Sequence, residues 1–395
     1  MIMLKTIWSG MKYPRAKPYF GEDDRKEITS KIDGILKSGH IAQGKYVAEF
    51  EDKFSKEIGS KYGIATNSCT SALEVSIRAL GIKNKTILVP TNTFVASVNS
   101  IILSGNKPLI LDIDKDTLCM SLDSVKNNLT DDVGAILWVH MAGLVTLDVV
   151  TARDICRDRG IYLIEDAAHA HGASFYDPHK NITTKAGNIG DVGCFSFYPS
   201  KVLATGEGGM ITTNNDEVND KAKIIRYHGV TRAEGPLNGV DYGVSAHYPA
   251  QNFRMTETSA IIGISQLSNL RKFLLKRNWI ATSYNLLLKE IDGVTLLPDN
   301  DFSYSSYWNY YFVLNRGIDR DKLSNYLHEN GIQNANAYYP ACHQHKIYED
   351  YILDDYPIAN DILKRHLSLP MYYELEEDGI NEIVDFVRMG IRKLR

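Results

Sequence analysis

From residue 62 onward, short apolar runs alternate with segments of helical periodicity. The runs are Tyr62–Thr66, Thr86–Val89, Pro108–Asp112, Ala135–His140, Tyr162–Glu165, Cys194–Phe197 and Gly209–Thr212. Between the earlier ones lie the helical patterns Ser71–Leu80, Ala96–Ser104, Ser121–Asn127 and Val149–Asp158. This alternation predicts an α/β fold with a largely parallel sheet covered on both faces. Sheets of that kind bind ligands beyond the carboxyl ends of their strands. Two helices are expected ahead of the alternation, Glu22–Lys37 and Tyr46–Ile58, each with apolar residues at helical spacing. After it, Glu257–Leu288 reads as a long helix broken near Asn269. A strand pair (Val294–Leu297, Trp308–Leu314) and two helices (Arg320–Glu329, Gly379–Leu394) then suggest a small α+β lobe. A chain of 395 residues exceeds what one hydrophobic core usually holds, so two lobes are expected.

Composition narrows the function classes. The formal net charge is −4, which gives no electrostatic case for nucleic acid or a polybasic membrane contact. Five scattered cysteines (Cys69, Cys119, Cys156, Cys194, Cys342) argue against a disulfide framework or a thiolate zinc site. No apolar run reaches membrane-spanning length and no signal-peptide pattern opens the chain, so a cytoplasmic protein is the expectation. The 23 tyrosines cluster late, at Tyr304, Tyr307, Tyr310, Tyr311, Tyr338, Tyr339, Tyr372 and Tyr373. Most should pack, and some could line the pocket of a polar ligand.

Four segments at strand ends or in loops could carry chemistry. Asn67-Ser68-Cys69-Thr70-Ser71 follows a strand and opens a helix, where N–H groups and hydroxyls can bind an anion. Simple helix capping would use the same residues. Ile164-Glu165-Asp166-Ala167-Ala168-His169-Ala170-His171 puts an acid where ligands bind, although Asp166 could equally be a helix cap. A metal pair of His169 and His171 is not favoured, since no three- or four-ligand set is visible. Phe195-Ser196-Phe197-Tyr198-Pro199-Ser200-Lys201 runs a strand into a lysine, and a lysine in a dry pocket becomes a nucleophile. Thr205-Gly206-Glu207-Gly208-Gly209 allows close backbone approach but fits neither nucleotide-binding glycine motif. Singly, each has an ordinary structural explanation. Together they form the set that pyridoxal phosphate chemistry requires: a lysine for the aldehyde, a carboxylate for the pyridine nitrogen and a helix N-terminus for the phosphate.

The chain resembles the DegT/DnrJ/EryC1/StrS family of fold-type I, pyridoxal-phosphate-dependent sugar aminotransferases. The resemblance rests on SGHIAQGKYVAEFEDKF, NSCTSAL, PTNTFVASVNSIILSG, LIEDAAHAHGASF, GDVGCFSFYPSKVLATGEGGMITT and NFRMTETSAIIGISQL, with a weaker echo in YYPACHQHKIY. It implies a large cofactor-binding domain over 15–270 and a small C-terminal domain over 271–395, with 1–14 as an extension. It implies that Lys201 is the Schiff-base lysine and proton carrier, and that Asp166 pairs with the pyridine nitrogen. His169 would meet the cofactor ring or its O3′, and Phe94 would stack on the ring's other face. Ser68, Cys69, Thr70 and Ser196 would hold the phosphate. Asn252 would reach the phosphate of a neighbouring subunit, which implies a homodimer with shared sites.

The family further implies an amino group moved from L-glutamate to a keto-sugar, nucleotide-linked, for surface polysaccharide or amino-sugar biosynthesis. Candidate acceptor contacts are Arg226, His228, Tyr339 and His343, with the partner's Tyr248 region; ion pairing and core packing are the ordinary roles of such residues. Two stretches depart from the family's pattern: HMAGLVT (140–146) lacks the usual aromatic-Gly-Gln, and YPAQNFRM replaces the commoner Leu-Gly-aromatic-Asn-aromatic-Arg-Met. They leave room for a smaller phosphorylated ketone as acceptor. Some relatives are dehydratases with His in place of the lysine; Lys201 here favours transamination.

Overall fold

The computed structural model describes residues 11–178, 180–232, 244–298, 302–335 and 338–395. Residues 1–10 of the expected N-terminal extension lie outside them. The chain opens with α1 (Glu22–Ser38) and α2 (Lys45–Ile58). It then builds β1 (Tyr62–Thr66), α3 (Cys69–Ala79), β2 (Thr86–Pro90), α4 (Val95–Leu103) and β3 (Lys107–Leu111). Next come α5 (Leu122–Asn127), β4 (Val133–Val139), α6 (Leu147–Arg159) and β5 (Tyr162–Asp166). A short hairpin, β6 (Ser174–Asp177) and β7 (Ile182–Lys185), precedes β8 (Val192–Ser196), β9 (Gly209–Thr213) and α7 (Asp216–Arg226).

Seven of these strands form one sheet in the order β1-β9-β8-β5-β4-β2-β3. The pairs from β3 through to β8 are parallel, and β9 runs against both of its neighbours. β9 therefore presents its amino end at the edge where the other six strands end. Ile87, Leu88, Val89, Ile136, Leu137, Leu163 and Ile164 are fully buried, as expected of strands covered on both faces.

The rest of the chain is β10 (Val230–Arg232), β11 (Val244–Ala246), α8 (Glu257–Ser268), α9 (Leu270–Leu288), β12 (Val294–Leu296), β13 (Ser303–Tyr304) and β14 (Tyr310–Leu314). It ends with α10 (Arg320–Glu329), α11 (Pro357–Arg365), β15 (His366–Leu369) and α12 (Glu377–Leu394). The expected long helix breaks at Asn269, which caps α8 and starts α9. The expected strand pair exists as β12 and β14, antiparallel, with β15 as a third strand. A second apolar cluster forms here, around Tyr284, Phe312, Leu323, Leu367, Ile383 and Val387. In α12, Ile380, Ile383, Val384, Val387 and Ile391 recur at helical spacing and are all buried.

Late segments also pack back on the first part of the chain. β13 pairs with β6. Cys342, Tyr348, Tyr356, Ala359 and Leu363 belong to the first apolar cluster rather than the second. The amides of Ile358 and Ala359 donate to the Asp112 carboxylate, and Tyr356 donates to the carbonyl of Ile110 on β3. Among the described residues, no helix is long and apolar enough to cross a membrane.

Candidate active site

A cavity of about 710 Å³ opens at the carboxyl ends of the parallel strands. Asp166 is the last residue of β5 and is 6% exposed. Successive strand residues face opposite ways, so Asp166 lines the cavity while Glu165 turns behind the sheet. There Glu165 accepts hydrogen bonds from the amides of Gly187, Ile189 and Gly190, with His140 Nε2 at 2.8 Å. Asp166 Oδ2 accepts from the Ser97 hydroxyl at 2.7 Å, and Oδ1 from the Ala168 amide at 3.1 Å. Burial pushes the Asp166 carboxyl up, and those two hydrogen bonds with the Lys201 charge pull it back.

Lys201 lies in the loop after β8, its amide bonded to the Tyr198 carbonyl. Its Nζ stands 4.1 Å from the centroid of the Trp308 ring. Burial lowers its pKa to about 8, against the opposing pull of Asp166. The amine is thus a usable base and nucleophile near neutral pH.

The third part of the site is the start of α3. The Ser68 hydroxyl accepts from the Ser71 amide and caps the helix. The first amides of a helix have no intrahelical partner, and here Cys69 and Thr70 line the cavity together with Ser196 at the end of β8. β9 packs against this turn so closely that only glycine fits at position 209. A Cβ there would overlap the Ser68 carbonyl and come within 2.7 Å of Cys69 N.

An aromatic wall completes the cavity. His169 stacks on Trp308, centroids 3.7 Å apart and planes at 12°. Its Nε2 lies 2.9 Å from the Tyr338 hydroxyl, and the Trp308 indole N–H donates to the Ser200 carbonyl. Burial holds the His169 imidazole well below its usual pKa, which favours the neutral ring. Its Nδ1 is buried with no hydrogen-bond partner among the described residues. Phe94, 57% exposed, stands at the mouth with its ring 6.0 Å from that of Tyr338.

The cavity brings together Ser68, Cys69, Thr70, Phe94, Asp166, His169, Ser196 and Lys201. The candidate acceptor contacts do not line it. Arg226 is buried at the end of α7, paired with Glu51 and bonded to the Ala65 carbonyl, as a buried cation must be. His343 bonds to Thr91 and Asn360 and stacks on Tyr356 at 4.0 Å. Tyr339 lies under the Arg320 guanidinium, 5.0 Å from it. His228 takes a left-handed φ of 59° beside the β10–β11 hairpin. Asn252 is exposed, its carbonyl accepting from the Asn67 side chain. His171 turns into the cluster of Phe54, Phe195 and Phe197. Among the described residues, no group of three or more His, Cys, Asp or Glu is placed to hold a metal.

Sequence reasoning missed Arg15, Ser97, Trp308 and Gln333, all of which line the cavity. Tyr338 stood only among the late tyrosines. Arg15 sits in a stretch without periodicity, and Ser97 looked like one more small residue on a helix. Neither carries a local signal, because what matters is what the fold sets beside it.

A model of the DegT/DnrJ/EryC1/StrS aminotransferase family matches residues 22–388. The spore coat polysaccharide biosynthesis protein SpsC of Bacillus subtilis is 30% identical, over 95% of this chain and 96% of its own. The GDP-perosamine synthase of Vibrio cholerae is 31% identical, over 95% and 98% respectively. The crystal structure of the aminotransferase TlmJ from Streptoalloteichus hindustanus matches with a TM-score of 0.87 at 25% identity, covering 97% of this chain and 99% of that one.

Proposed function

The chain belongs to the DegT/DnrJ/EryC1/StrS family of sugar aminotransferases, and from that membership we propose that it moves an amino group from L-glutamate to the keto group of a nucleotide-linked sugar, with pyridoxal 5′-phosphate as cofactor. The observation that carries the reading is the convergence of three groups on one cavity: the Lys201 amine, the Asp166 carboxylate and the opening turn of α3. The unpartnered Nδ1 of His169 supports a bound polar group in the same space. The likeness to a GDP-perosamine synthase supports a nucleotide-linked acceptor, and that to SpsC a role in polysaccharide biosynthesis.

In this reading Lys201 would hold the cofactor's aldehyde end and Asp166 its pyridine nitrogen. Ser68, Cys69, Thr70 and Ser196 would hold the phosphate, and His169 and Phe94 the ring. Bound there, the cofactor supplies an aldehyde that condenses with amines and a ring that accepts the electron pair left when a C–H bond breaks. Lys201 is the one lysine lining the cavity among the described residues. It takes the proton from the donor's Cα and, in the second half of the cycle, delivers one to the acceptor's carbon. The hydrogen bonds from Ser97 and Ala168 favour the ionised form of Asp166, against the burial that raises its pKa. Trp308, packed against the Lys201 amine, shields that side from water. A cytoplasmic homodimer with shared sites is part of the same proposal.

The test is spectroscopic. Protein incubated with pyridoxal phosphate should show a visible absorption band, and Lys201→Ala should lack it. L-Glutamate should bleach that band with one 2-oxoglutarate formed per site, and a keto-sugar nucleotide should restore it. A colourless wild type, or a band indifferent to glutamate, would sink the reading.

A further inference from the structure

Arg15 brings a second cation to the cavity, one that the mechanism above leaves without work. Its backbone is tied down on both sides. The amide donates to Gln333 Oε1 at 3.0 Å, and the carbonyl accepts from the Met371 amide at 2.9 Å. Two residues earlier, Tyr13 forms a parallel bridge with Ile332. The segment is therefore laid along 331–335 like an extra strand, and the Arg15 side chain reaches the cavity from a fixed base. Its Cζ lies 5.7 Å from the centroid of the Trp308 ring.

Among the described residues, the guanidinium has neither an ion-pair partner nor a hydrogen bond of its own. The buried arginines differ in this respect. Arg226 pairs with Glu51, Arg277 donates to the carbonyls of Tyr307 and Trp308, and Arg320 bonds to Asp321. A guanidinium partly withdrawn from water and left unpaired is a site waiting for an anion.

Position together with the chemistry of the two substrates points to one anion. Lys201 Nζ and Arg15 Cζ stand against the same indole ring, at 4.1 and 5.7 Å from its centroid. They are separated by no more than the sum of those distances. An amino donor must bring its nitrogen to the place the Lys201 amine serves, and an α-amino acid carries its carboxylate on the very carbon that bears that nitrogen. A keto-sugar has neutral hydroxyls beside its reacting carbon, with its phosphates several bonds further away. The planar fork of a guanidinium matches a carboxylate with two parallel hydrogen bonds.

We propose that Arg15 binds the α-carboxylate of the amino donor and thereby selects an α-amino acid over an amine that lacks one. This rests on the aminotransferase reading above. It assigns to the N-terminal segment a part in donor choice.

The test uses the pyridoxal-phosphate-loaded enzyme in single turnovers, following the visible band. L-Glutamate is compared with 4-aminobutyrate, which is glutamate without its α-carboxylate. Arg15→Met should raise the half-saturating glutamate concentration about 10- to 100-fold, the range for one charged hydrogen-bonded contact. It should leave the rate with 4-aminobutyrate unchanged, so the wild-type preference for glutamate collapses. Arg15→Lys should recover part of the preference. An unaltered visible band and melting curve show that the variants are folded, and Arg15→Gln replaces any that is not. Inhibition by GDP, UDP and dTDP should be the same in all forms. Unchanged glutamate saturation in Arg15→Met would overturn the proposal. So would weakened nucleotide inhibition with glutamate unaffected, which would give Arg15 to the acceptor's phosphates. A wild type that loads the cofactor but ignores glutamate would bring down the underlying reading with it, and is told apart because the defect then precedes any substitution.

Discussion

A carboxylate is an awkward tenant of a dry cavity, and the surroundings of Asp166 meet that difficulty with few atoms. Burial favours its neutral form, while the Ser97 hydroxyl, the Ala168 amide and the Lys201 charge favour the ion. Ser97 is itself held by Thr93 Oγ1 at 2.7 Å, so its hydroxyl is already aimed. Removing that hydroxyl shifts the balance one way: the carboxyl titrates at higher pH and its ionised form disappears sooner as pH falls. Ser97→Ala should therefore lower turnover about 10-fold at neutral pH, the loss expected for one hydrogen bond to a charged group. It should also move the acid limb of the kcat/KM profile to higher pH. A lower rate with an unmoved limb would make Ser97 a packing residue only. Asp166 and Lys201 could be picked out in the sequence because each follows an apolar strand and is flanked by small or hydroxyl residues. Ser97 could not, since its partner lies 69 positions away. That Arg226 and His343 stand away from the cavity was illegible for the converse reason: a polar residue in a promising stretch looks the same whether it faces a cavity or, as with Arg226, a half-buried glutamate.

At the scale of elements, the site depends on how closely β9 meets the first turn of α3. Gly209 is forced by that approach, because a side chain there meets backbone, which cannot swing aside. Gly209→Ala should cost about 3 kcal/mol or more, the upper range for overpacking a well-packed interior, and should weaken pyridoxal phosphate binding. Gly81→Ala is the control. A Cβ at 81 meets nothing within 4 Å, so only the strain of its positive φ remains, about 1–2 kcal/mol, and the melting curve should shift less than for Gly209→Ala. Equal shifts for the two would remove the special role of the contact. The parallel strands were legible because burial on both faces writes them as unbroken apolar runs. The β6–β7 hairpin, the two-residue β13 and the four-residue β15 were not, being too short to show a period. α11 also escaped: it is nine residues long, and its first turn is tied by the Ile358 and Ala359 amides to Asp112, far back in the chain.

At the scale of the molecule, the cavity draws on distant parts of the chain. β5, β8 and α3 supply the chemistry, while residues 333–335, Tyr338 and the N-terminal Arg15 supply the facing side. One residue of the proposed site remains apart. Asn252 is exposed, and among the described residues its Oδ1 accepts only from the Arg254 amide two residues on. If it serves the phosphate of a neighbouring copy, as proposed, the site is complete only in a symmetric pair, and each chain lends Asn252 to the other. That arrangement has a consequence no single-chain role shares. Lys201→Ala and Asn252→Ala should each be inactive or nearly so when pure. In a mixed dimer, one site carries both defects and the other carries none, because its lysine and its asparagine come from different chains. Unfolding the two variants together and refolding them at equal amounts should thus restore about a quarter of wild-type activity, since half the dimers are mixed and each has one intact site of two. A mixture no more active than its components would confine Asn252 to its own chain.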